Sequence, residues 1–199
     1  MSKPGAPHVE ITKKRDLRTY SDLWHASGVL FERGVEEPEG SSWVFLSSLV
    51  LTAFTFEAFL NHVGPTLFAH WNHLDRLSPW AKFELVCEKV NVVFARGPGA
   101  PPLQTVSKLL DFRNTLAHGR SIQLESKPLI RRVDSYQHAL GEQLLSDWEK
   151  LIQDDAFARA ARKDVEEVIR AIHDKRPDPK EHVFTFGLGQ HGATLVLDP

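Results

Sequence analysis

Apolar residues recur at three- and four-residue spacings through most of this chain, the period of helices that bury one face. Leu17, Tyr20, Leu23, Trp24 and Leu30 set such a stripe over about residues 17–33, and "RGVEEPEGS" ends it. The stretch from about Ser42 to His62 is apolar on all sides, which places its helix in the middle of a bundle. Gly64 and Pro65 are expected to break that helix, and a short helical piece follows over 65–74. Ser78 caps the next one, "PWAKFELVCEKVNVVF", with Pro79 at the first helical position, where its missing N–H costs little. After the loop "RGPGAPP", a fourth main helix runs from about Pro102 to Ala117 and stops at Gly119, read as a left-handed cap.

Beyond Gly119 the pattern weakens. "SIQLE" is compatible with a short strand and "SYQHALGEQLL" with a weak helix. Ser146 starts another helix at "SDWEKL", and "AFARAARKDVEEVIRAIHDK" is strongly amphipathic until "RPDPKE" breaks it. The tail "HVFTFGLGQHGATLVLD" reads as two short strands around a Gly-rich turn. These elements predict an all-α fold of about five main helices, spanning residues 17–175. A flexible N-terminal segment (1–16) precedes them, and a C-terminal β-hairpin extension (176–199) follows.

Composition changes this picture little. Charged residues are 25% of the 199 and hydrophobic ones 42%, as in ordinary globular domains. A formal net charge of −2 argues against an overall basic coat for nucleic acid. The single cysteine, Cys87, forms no internal disulfide and fits a reducing compartment. The polar start "MSKPGAPHVEITKKRD" lacks the apolar core of a signal peptide, so the expected location is cytoplasmic. "SSWVFLSSLVLTAFTF" meets Glu57 before it reaches the roughly 20 apolar residues of a membrane span.

Glu57 is the first chemically informative residue. Between Gly40 and Leu74 it is the only acidic or basic side chain, histidines aside. A carboxylate in a buried helix must be solvated in a cleft, protonated or paired, because an isolated buried charge is very costly. Asn61 lies one turn on, on the same face. "FRNTLAHG" supplies partners, since Arg113 and Asn114 are polar residues in an otherwise apolar helix. A plain structural contact between two core helices accounts for them without any chemistry. Asn114 and His118 share a stripe, whereas Arg113 and His118 are separated by about 140° on one ideal helix. The two can attend one group if the helix loosens at its end, or if two copies face each other.

Local charge favours an anionic ligand. From Arg96 to Arg132 there are seven basic residues against Asp111 and Glu125, a net of +5, so the remainder of the chain carries −7. Arg113, Lys108 and Arg120 all lie in this cationic island, which suits phosphate.

"RNTLAH" resembles the R-x4-H motif of the HEPN superfamily, with a polar Asn114 directly after the arginine. "FTFEAFLNHVG" is similar to the earlier helix that faces the motif in that family, with Glu57 and Asn61 as its polar residues. The resemblance covers roughly residues 17–175. It implies an antiparallel HEPN-like bundle that pairs as a homodimer, with the motif helices meeting at a cleft. Many members are metal-independent endoribonucleases, often toxins or antiviral effectors, so RNA and a cognate antitoxin protein are the implied partners. Others are inactive binding or assembly modules. On the active reading His118 and Arg113 are catalytic, with Asn114 orienting His118 or the phosphate. Glu57 and Asn61 support them, and Lys108 and Arg120 hold RNA. No cofactor and no metal are called for.

Other constellations carry less. His62, His70 and His73 lack a carboxylate or cysteine partner for a metal, and Cys87 has no nearby base. No glycine-rich phosphate loop follows a strand into a helix. The five tryptophans are dispersed, with core packing as their default role. One feature favours the alternative of a non-catalytic module that holds a nucleotide or a partner protein. Between Arg96 and Arg132 only Phe112 is aromatic, so little is available to stack bases.

Overall fold

The computed structural model describes residues 8–126, 132, 143–177, 179 and 181–196. Seven helices and one two-stranded antiparallel sheet make up these residues. In chain order they are β1 (His8–Arg15), α1 (Thr19–Glu36), α2 (Ser41–Leu67), α3 (Trp71–Leu74), α4 (Pro79–Val90), α5 (Leu103–Ala117), α6 (Asp147–Lys150), α7 (Ala156–Lys175) and β2 (Gly189–Val196). The expected helical bundle is present. α2 lies at its centre, packed against α1, α4, α5 and α7.

The central position follows from composition. Leu49, Phe56, Phe59, Leu60 and Val63 of α2 are completely buried, and Val106 and Leu109 of α5 and Val165, Val168, Ile169 and Ile172 of α7 meet them. By length and composition α2 is the one helix among the described residues apolar enough to cross a bilayer. Its inner face is instead packed within the bundle, with an ion-paired carboxylate midway along it.

Several boundaries differ from the sequence-based expectation. α2 runs through Gly64 and Pro65 to Leu67. Pro65 sits in the last turn, so it removes one backbone bond, the one to the Asn61 carbonyl, and the helix still closes with Phe68 N–H on Gly64 O. Gly64 itself is needed, because a Cβ there would lie 2.3 Å from the Trp71 ring. α4 ends at Val90 rather than near Phe94, since Asn91 adopts a left-handed φ of 55°. α5 ends on His118 with φ −112°, and Gly119 is not left-handed. "SIQLE" has no regular structure, while residues 135–142 of the expected weak helix lie outside the described residues. Ser146 does cap α6, reciprocally with Glu149.

The ends of the chain bring the largest correction. The tail forms no hairpin of its own; β2 is its only strand among the described residues, and it pairs with β1 in a register that sets His8 against Val196 and Arg15 against Gly189. The N-terminal segment expected to be flexible therefore supplies the partner strand from residue 8 onward. Gly187 lets this pairing continue onto Asp16, whose carbonyl a Cβ would meet at 1.7 Å. Just upstream, Phe184 stacks on Trp24 with ring centroids 4.5 Å apart and straps the tail to α1.

A candidate anion site between α2, α4 and α5

Arg113 is carried inward by the stripe of Val106 and Leu110, both buried, which spaces it one turn beyond Leu110 on the side of α5 facing α2. There its NH2 donates to Glu57 Oε2. The other carboxylate oxygen, Oε1, accepts from Lys82 Nζ at 3.5 Å. Lys82 also donates to Asn61 Oδ1 at 3.0 Å, and Arg113 NH1 donates to Asn114 Oδ1 at 2.9 Å. The Arg113 guanidinium stands 5.4 Å from the centre of the Phe54 ring. Glu57 is thus paired, the third of its three options.

Charge and burial define what this cluster can do. The Lys82 side chain is 2% exposed, against 23% for Glu57 and 21% for Arg113. Two cations share one carboxylate, which leaves a net positive charge at a half-open position. Arg113 has five N–H donors and commits two of them here, so donors remain for an incoming anion.

The structure brings together Glu57, Asn61, Arg113 and Asn114, and it adds Lys82. Lys82 was not singled out in the sequence, although the signal was there. It shares the buried side of α4 with Phe83, Val86, Cys87 and Val90, where a lysine needs a partner.

The remaining candidates lie elsewhere. His118 is exposed at the end of α5, where its backbone N–H caps on Asn114 O at 2.9 Å. Among the described residues its ring makes no hydrogen bond, and the Asn114 side chain turns to Arg113 rather than to it. Lys108 is exposed on another face of α5, its ammonium 5.1 Å from the Phe157 ring centre. Arg120 is exposed beyond the helix end. Within one chain, then, Arg113 and His118 do not converge.

The metal reading finds no support among the described residues, where no three His, Cys, Asp or Glu side chains gather. His62 pairs with Glu181, and the His70 and His73 rings are 6.3 Å apart. Burial pushes the Cys87 thiol up to about 12, with Glu84 adding to it, so it is an inert core group. Of the tryptophans, Trp24 and Trp71 are buried as expected, but Trp43 is 67% exposed.

Comparison with known proteins yields no match: no family model fits the chain, and neither a curated protein nor a solved structure matches it.

Proposed function

We propose that this chain is a HEPN-type, metal-independent endoribonuclease that acts as a homodimer in the cytoplasm. The observation that carries the reading is Arg113, held by Glu57 with donors to spare, five residues before an exposed His118. In the proposed reaction one His118 takes the proton of a ribose 2′-OH, and the 2′ oxygen attacks the adjacent phosphorus. The P–O5′ bond breaks, and the partner copy's equivalent histidine protonates the leaving oxygen. Arg113 neutralises the charge that builds on the phosphoryl oxygens. The products are a 2′,3′-cyclic phosphate and a 5′-hydroxyl.

Pairing of two chains is supported by the outer face of α2. Phe54 (40% exposed) leaves apolar surface beside Arg113, and Trp43 (67% exposed) extends it about three turns along α2; a second copy seated there would bring another His118 toward Arg113. Lys108 and Arg120, exposed on the same cationic segment, would track the RNA backbone outside the cleft.

The alternative is a non-catalytic HEPN-like module binding a nucleotide or a partner protein. It is favoured by the His118 ring, which has no orienting hydrogen bond among the described residues. Incubation of purified protein with mixed RNA in EDTA decides between them. Cleavage that is lost in His118→Ala supports the enzyme; intact RNA with wild-type protein leaves the binding module. A toxin or antiviral role, with an antitoxin partner, belongs to the enzyme reading.

A further inference from the structure

α7 carries a second acidic anomaly. Its buried face includes Ala161, Val165, Val168 and Ile169, and Asp164 sits among them, only 6% exposed. A carboxylate this deep needs a partner, as Glu57 does. Among the described residues none gives Asp164 a hydrogen bond or an ion pair. The nearby α7 arginines turn elsewhere, Arg162 to Trp24 O and the Ser27 hydroxyl, and Arg170 to Glu166. The Asp164 oxygens are not sealed from solvent, and the residue lines a cavity of about 520 Å3 between α7 and the loop joining α4 to α5.

The rest of the lining narrows what this carboxylate can hold. Val92, Phe94 and Pro102 make an apolar wall, with Phe94 backed by Phe83 at 6.0 Å between ring centres. Arg96, Lys163 and Glu167 also line the cavity and are exposed. An ionised carboxylate only accepts, so a ligand must bring donors, and two free oxygens match two parallel donors best. Arg96 and Lys163 balance Asp164 and Glu167, which disfavours a simple cation. With the acid buried and the cations exposed, donors belong inside and an anionic group at the mouth.

We propose that this cavity binds a guanine nucleotide. Guanine N1–H and N2–H2 donate side by side to the two Asp164 oxygens, the base lies against Phe94, and Arg96 and Lys163 take the phosphate. Adenine sets an acceptor next to its amino group, and uracil flanks its one N–H with carbonyls. Either base turns a lone pair toward a carboxylate oxygen. The volume suits one nucleotide. No residue of the lining belongs to the Arg113 cluster, so the site stands apart from the ribonuclease reading.

Calorimetric titration of the full chain with guanosine, inosine and adenosine 5′-monophosphates, guanosine and methylguanidinium tests it. Saturable binding of the guanosine nucleotide is the expected result. The inosine nucleotide, which lacks the 2-amino donor, should bind about tenfold more weakly, and the adenosine nucleotide not at all. Guanosine should bind more weakly than its monophosphate, and the Arg96→Ala/Lys163→Ala double variant should bring the nucleotide down to that level. Asp164→Asn should abolish binding, because half of the accepting pair becomes a donor. Its melting temperature should not fall, since the carboxylate has no partner to lose. His118→Ala should retain binding whether or not that variant cleaves RNA. A structural Arg96–Asp164 pair predicts the reverse: no nucleotide bound, and melting temperatures lowered alike by Asp164→Asn and Arg96→Ala. That result overturns the proposal. So does equal binding of the three nucleotides, methylguanidinium binding as tightly as the guanosine nucleotide, or unchanged affinity in Asp164→Asn.

Discussion

Lys82 reaches across from α4 to Asn61 on α2, its Nζ 3.0 Å from the amide oxygen, although the whole residue is only 1% exposed. An ammonium this deep is held by what surrounds it, and its second partner is Glu57. Glu57 is therefore the hub, since its single carboxylate pairs with both Lys82 and Arg113. Glu57→Ala leaves two cations facing one another and should cost about 3–5 kcal/mol. Glu57→Gln keeps an accepting oxygen and should cost less. Lys82→Met retains the packed stem, and Glu57 keeps Arg113, so its cost should stay within ~1–2 kcal/mol. Urea unfolding midpoints rank the three. Losses from both Glu57 variants that are equal and negligible would show the carboxylate to be simply solvated.

The legible part of this site was the part with an anomaly against a plain background. Glu57 stands out in an apolar helix, and Arg113 in an apolar stripe, so their pairing is readable from period and burial alone. Lys82 hid among ordinary helix charges, because Glu84, Glu88 and Lys89 surround it in "AKFELVCEKV". The same contrast governs the fold. α7 was bounded correctly at both ends by its regular apolar period and the "RPDPKE" break. The β1–β2 pairing joins segments some 180 residues apart, and no local pattern encodes which distant strand a tail will find. Pro65 misled because a proline in the last turn forfeits only one backbone bond.

Removal of the two motif side chains should separate chemistry from stability. His118 is exposed at a helix end, so His118→Ala should leave the melting temperature within a degree or two while abolishing EDTA-resistant RNA cleavage. Arg113→Ala should also abolish cleavage, and it should lower stability by leaving Glu57 with Lys82 alone. Single-stranded DNA should survive, because it lacks the attacking 2′-OH. Full activity in His118→Ala, or equal cleavage of DNA, would rule this chemistry out.

Dimerisation has its own handle. Arg113 points into the α2–α5 contact while His118 faces solvent, so one chain does not complete the pair. Trp43 is 67% exposed, and Trp43→Glu removes apolar surface without opening the core. Light scattering at micromolar concentration should give a dimer for wild type and a shift toward monomer for the variant. A strictly monomeric wild type would contradict the arrangement.

The last prediction concerns acid, and it centres on the junction where the C-terminal segment meets α2. His62 is faced by Glu181, by Arg176 and by Arg18, and its ring lies 4.8 Å from that of Tyr20. Burial depresses its pKa, and the pull of Glu181 in the other direction does not cancel this. His173 is depressed as well, by burial first and then by Arg176, and its buried Nδ1 has no partner. A histidine depressed in the folded state binds fewer protons there than in the unfolded chain. Stability should then be intact above the ordinary histidine value of about 6.5 and fall as the pH drops through it. Glu181 adds a second loss at lower pH. Burial alone would raise it, but Arg176 and His62 hold it net below its usual value, so protonating it below about 4.5 costs stability too. Thermal melts from pH 7.5 to 5.0 should show the decline for wild type. His62→Gln and His173→Asn should each flatten it, since neither amide takes up a proton. A wild-type melting temperature that stays level across this range would mean that the two rings are not buried neutral, and the junction would need a different account.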